Sequence, residues 1–72
     1  MPKRGEPVDV TVTAQAGLVL LQPQTDAAWR WLKARTQATA TNWLGHTPVV
    51  EPRYSNDIVD GLRADGFVCQ NA

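Results

Sequence analysis

Residues 8 to 14, "VDVTVTA", alternate without a break: Val8, Val10, Val12 and Ala14 fall on one side, Asp9, Thr11 and Thr13 on the other. A period of two in β-branched residues marks a strand, because successive side chains of an extended chain point to opposite faces. A strand with one apolar face has to lie on a core, so the rest of the chain must supply a second layer. "AQAG" at 14 to 17 reads as a tight connection, with Gly17 able to supply a positive φ. "LVLL" at 18 to 21 is then apolar on both faces. Such a run fits a central strand covered on each side, or one covered by a helix on one face and by loops on the other. Pro23 ends its ladder.

Thr25 is a good N-cap, and Asp26 sits where a helix dipole favours an anion. Residues 27 to about 35 are rich in helix formers. Two stripes compete there, one through Ala28, Trp31, Leu32 and Arg35, the other through Trp29, Leu32 and Thr36. Trp29 and Trp31 are separated by Arg30 alone, so they point about 200° apart on a helix. Both cannot lie flat on one sheet, which predicts that one indole is core and the other surface. Residues 36 to 47, "TQATATNWLGHT", read as a loop anchored at Trp43-Leu44, with Gly45 as a turn residue.

Val49 and Val50 predict a short strand stopped by Pro52. Ser55 is the expected N-cap of a second helix, with Tyr54 and Val59 as a hydrophobic staple. Ile58, Val59 and Leu62 share one face, while Asp57, Asp60 and Arg63 stay outside. Gly66 is placed to end that helix in the left-handed conformation. Phe67-Val68-Cys69 is a short last strand. Gly61, inside the helix, costs about 1 kcal/mol against alanine. It marks either a close approach by another backbone or chain, or nothing at all.

The chain has 72 residues, seven basic and seven acidic, one cysteine and one histidine. That length supports one domain, taken as 8–70, behind a leader at 1–7 containing Lys3 and Arg4. A balanced charge gives no general pull toward nucleic acid or anionic membrane. A single thiol forms no internal disulfide, and with one histidine it makes no zinc site of the usual kind. No signal sequence or membrane span is visible, so a cytoplasmic setting is expected.

The runs "GLVLLQPQTDAAWRWL" and "NWLGHTPVVEPRYSNDIVDGLRADG" together resemble a group of short proteobacterial proteins found with phages and plasmids. The shared pattern is P-x-T-x-x-A, WL, W-L-G, V-E-P-R-Y and D-G, across about residues 17 to 68. The resemblance implies a mobile-element setting and no activity. Trp31-Leu32 matches the pattern, whereas Trp29 stands where such proteins carry a polar residue; the resemblance therefore implies Trp31 as core and Trp29 as surface.

Candidate chemistry is thin. His46 with Thr47 and Asp57 invites a triad, but no strained nucleophile elbow is present and the lone serine, Ser55, is needed as a cap. Asp57, Asp60 and Asp65 do not have the spacing of a calcium loop. Cys69 lacks adjacent basic residues that would activate it. Glu51 and Arg53 form either a recognition patch with Tyr54 or a surface ion pair beside a stapling ring. Trp29 next to Arg30 and Lys33 has the composition of an interface; alternatively its ring lies flat over the loop at 36 to 44.

The expected fold is a small two-layer α+β domain in ββαβαβ order, with a sheet of three or four strands and two helices on one face. Right-handed crossovers are expected where strands are parallel neighbours. The expected function is non-enzymatic protein–protein interaction, with a protein partner or a homodimer. An accessory protein of a mobile element, or an inhibitor of a host protein, fits that expectation. The expected surface comprises Trp29, Arg30, Lys33, Arg53 and Tyr54. No catalytic residue, cofactor, metal or small molecule is expected. The alternative is a nucleic-acid-binding accessory protein using Lys3, Arg4, Arg30, Lys33 and Arg35.

Overall fold

A computed structural model describes residues 8–37 and 40–72. The leader, with Lys3 and Arg4, and two residues of the threonine-rich segment lie outside the described residues. The elements run β1 (Val10–Gln15), β2 (Leu18–Pro23), α1 (Asp26–Thr36), β3 (Asn42–Leu44), β4 (Thr47–Val50), α2 (Pro52–Ala64) and β5 (Cys69–Asn71). The α+β class holds, but the sheet has five strands and the order is ββαββαβ.

The extra strand, β3, lies in the stretch read as a loop. It is three residues long, too short to show a period. A turn at Gly45-His46 folds it onto β4, with Leu44 opposite Thr47, Trp43 opposite Pro48 and Asn42 opposite Val49. Gly45 has φ +62°, the positive value that a tight hairpin turn requires. The first hairpin turns through Ala16 and Gly17, at φ 53° and 78°, and pairs β1 with β2 from Val10↔Pro23 to Gln15↔Leu18.

The strand order is β3-β4-β2-β1-β5. β2 is central and antiparallel to both neighbours; β5 lies parallel to β1. The condition for a crossover between parallel neighbours is not met by either strand–helix–strand connection: β2 and β4 are antiparallel, and β4 and β5 run the same way without being neighbours. The chain leaving β4 through α2 passes over to the far edge, beside β1. Pairing of β4 with β2 is confined to Val49 and Val50. The residue before them is Pro48, which has no N–H to extend that ladder.

Both helices cover the same face. Val10, Val19, Leu21 and Val50 from the sheet meet Ala28 and Leu32 from α1 and Ile58 and Leu62 from α2 in one buried cluster. Thr25 caps α1 as expected: its Oγ1 accepts the Ala28 N–H at 3.2 Å. The Ser55 cap is corrected. α2 starts at Pro52, which is preset for the first helical position and lacks the N–H that would go unpaired there. Ser55 is buried inside the first turn, its Oγ donating to the Pro52 carbonyl at 2.8 Å. Tyr54 is likewise in the helix, half-buried against the core, and so is not a staple ahead of it.

The end of α2 follows expectation. Gly66 takes φ +89°, Gly66 N–H donates to the Arg63 carbonyl at 3.0 Å, and Phe67 N–H to the Leu62 carbonyl at 3.0 Å. This paired closure satisfies carbonyls that a helix end leaves free. No helix among the described residues is long and apolar enough to cross a membrane.

Candidate interaction surface

The two tryptophans of α1 fix the helix from both sides. Ala28, Leu32 and Thr36, spaced four apart, point straight into the core and are buried. The Thr36 hydroxyl donates to the Leu32 carbonyl at 2.6 Å, so its burial leaves no orphaned donor. Trp29 and Trp31 leave that stripe on opposite flanks, and both are half-buried.

Trp29 stacks on His46 with ring centroids 4.4 Å apart and meets Trp43 edge-on at 5.6 Å. It holds the β3–β4 hairpin to α1, and Lys33 Nζ lies 5.7 Å from its ring. Trp31 takes the other flank. Its Nε1 donates to Asp65 Oδ2 at 2.6 Å, its ring meets Phe67 edge-on at 6.4 Å, and Arg35 lies over it at 5.0 Å. An indole lying sideways along a helix flank can be covered by what packs beside the helix. The 200° separation therefore does not force either ring outward: Trp31 packs against the core cluster as expected, while Trp29, the expected surface indole, is covered by the β3–β4 hairpin.

The other expected site residues separate into local pairs. Arg30 bridges Asp26 at 3.0 Å on the exposed side of α1. Arg53 Nε donates to Glu51 Oε2 at 2.7 Å and its guanidinium lies 4.8 Å from the Tyr54 ring. Exposed pairs of this kind add little to stability. Among the described residues, no hydrogen bond, ion pair or ring contact joins Arg53 and Tyr54 to Trp29, Arg30 and Lys33. The basic groups Lys33 and Arg35 go to different indoles on different flanks, so they do not build one stacking groove.

The residues considered for chemistry are used structurally. His46 is the stacking partner of Trp29, and Asp65 is the acceptor for Trp31. Among the described residues, no cluster of three or more His, Cys, Asp or Glu side chains could hold a metal. Burial pushes the Cys69 thiol up from its ordinary pKa, Arg63 pulls it partly back, and Asp9 adds to the rise. A raised pKa lowers the thiolate fraction near neutrality and makes a poor nucleophile. A groove of about 400 Å³ runs beside α2, with Val12, Ala14 and Val59 at its apolar surface and Asn56, Asp60 and Arg63 at its rim. Ser55 also lines it, with its hydroxyl donating to the Pro52 carbonyl at 2.8 Å.

The opposite face of the sheet is different, and among the described residues no helix lies on it. The register puts Leu18 and Leu20 of β2, Val49 of β4 and Leu44 of β3 on it together. Val49 is 6% exposed, Leu18 and Leu20 are half-buried, and Leu44 is 55% exposed, the one large apolar side chain so open among the described residues. These four line a depression of about 290 Å³. Around them stand Thr11, Thr13 and Gln22, with Thr47 next to Leu44. Among the described residues, no strand contains an Asp, Glu, Lys or Arg. The signal was present in the sequence: "LVLL" asks for cover on both faces, and the polar positions of β1 are threonines where an ordinary solvated sheet carries charges.

No family model, curated protein or solved structure matches this chain.

Proposed function

We propose that this chain is a non-enzymatic protein–protein interaction domain and that the open sheet face is its contact surface. The supporting observation is the patch of Leu18, Leu20, Leu44 and Val49 on a face where the described residues place no helix and the described strands carry no charge. A contiguous apolar patch whose neighbours are mostly neutral, and whose nearby charges Glu51 and Arg53 are already paired, fits a protein partner, because its burial releases water without stranding a charge. Trp29, named at first as the anchor, is spent on the hairpin; Arg30 and Lys33 stay exposed on α1, and Arg53, paired with Glu51, stands beside Leu18 at one end of the patch.

The reading is tested by comparing tagged wild-type chain with Leu20→Lys, expressed at equal levels and recovered after cross-linking. Leu20 is half-buried on a face where the described residues place no helix, so the substitution is expected to leave the circular dichroism spectrum unchanged. The wild type should retain cross-linked protein that the variant loses. Equal recovery of the same proteins by both would overturn the reading.

A further inference from the structure

We propose, on the reading that the open face is a docking surface, that its occupant is a second copy of this chain, packed sheet to sheet about a twofold axis near Leu20. In a twofold contact each group meets an equivalent surface, so the patch must be complementary to itself. A charged patch fails that requirement, because it presents like charges to its own copy. The strands of this face satisfy it, and the charges beside Leu18, Glu51 and Arg53, are paired with each other. Leucine and valine pack against leucine and valine, and threonine hydroxyls and glutamine amides both donate and accept hydrogen bonds. The chain carries seven basic and seven acidic residues, so two copies approach without net repulsion.

The position of the patch supports the same occupant. β2 is the third of the five strands, and Leu20 lies opposite Thr13 on one side and Val49 on the other. The apolar patch runs from the middle strand β2 through β4 to Leu44 on the edge strand β3, while β1 adds Thr11 and Thr13, so a twofold axis near Leu20 that runs across the strands brings the two patches face to face. Two sheets stacked about 10 Å apart would form the interior of a sandwich, with helices on both outer surfaces. Strand spacing and length give a face of about 20 Å by 20 Å, or roughly 800 Å² over both copies. That lies below the usual range for permanent interfaces, so the dimer is weak and depends on concentration.

Sedimentation of the purified chain over two decades of concentration, reaching about millimolar, tests this at the weak end of such interfaces. A reversible monomer–dimer equilibrium is expected. Leu20→Lys and, as a milder second variant, Thr13→Arg should each weaken it at least about tenfold, the scale of a central interface residue. Lys33→Glu, on the helical side, should leave it unchanged. Circular dichroism confirms that each variant is folded. A chain that stays monomeric throughout overturns self-association, and so does a dimer weakened by Lys33→Glu but indifferent to both sheet-face variants. Neither result depends on the recovery of another protein by the tagged chain, so a face that serves a different partner would still show its loss with Leu20→Lys.

Discussion

Ala16 stands in the left-handed region at φ 53°, followed by Gly17 at φ 78°. A turn with two positive φ values matches the twist of the flanking strands, but alanine at the first position crowds its Cβ against the backbone, at about 1 kcal/mol or more. Ala16→Gly removes that Cβ, and Ala16→Asn supplies a side chain that tolerates the conformation. Either should raise the midpoint of thermal unfolding by a few degrees, about what 0.5–1 kcal/mol produces in a domain of this size. A lowered midpoint for both would show that the turn is not strained. The need for a turn at 14–17 is legible from "AQAG", with glycine as the residue free to go positive; that alanine goes positive with it depends on the two-residue loop length set by the β1–β2 register. The fate of the indoles was less legible. Spacing fixes the angle between Trp29 and Trp31, but their cover comes from His46, Trp43, Asp65 and Phe67, all outside α1.

Among the elements, α2 explains its internal glycine. A Cβ built at Gly61 would lie 3.2 Å from the Trp31 indole, so the helix approaches that ring closely. The ring cannot easily retreat, because its Nε1 is held by Asp65 at the end of the same helix. Gly61→Ala gains helix propensity worth about 1 kcal/mol and loses some or all of it to crowding. The gain should be larger in a Trp31→Leu background than in the wild type. Denaturant unfolding of the four proteins in that cycle measures the difference; equal gains would mean that the glycine has no packing role. Strands β1 and β2 and both helices were readable because each shows a period, a cap or a stop. β3 was not, since three residues carry no period and its existence depends on pairing with β4. The start of α2 was displaced because Ser55 is a good cap by type, while Pro52 is a good first residue by geometry.

For the whole molecule, the residue that ties distant segments together is Asp9. Its Oδ2 accepts the Val68 N–H at 2.8 Å and its Oδ1 the Thr25 hydroxyl at 3.3 Å, while its backbone bonds Gln24 and Val68. The start of β1, the cap of α1 and the approach to β5 thus meet at one carboxylate. Sequence alternation placed Asp9 on a polar strand face, and nothing local indicates partners 16 and 59 residues away. Asp9→Ala strands the Val68 N–H and loosens the Thr25 cap, and should cost about 2 kcal/mol, read as a lower midpoint in urea with an unchanged slope. Full stability in that variant would rule out the clasp.

The pairing of β1 with β5 also sets a clock. Val10 meets Cys69 and Val12 meets Asn71, so the sheet is completed only when nearly sixty residues of intervening chain have been drawn together. Contacts of such wide separation slow the search for the native state. A nascent chain emerging from the ribosome can form the β1–β2 hairpin early, but the β5 side of β1 stays unpaired by β5 until residues 69–71 have emerged.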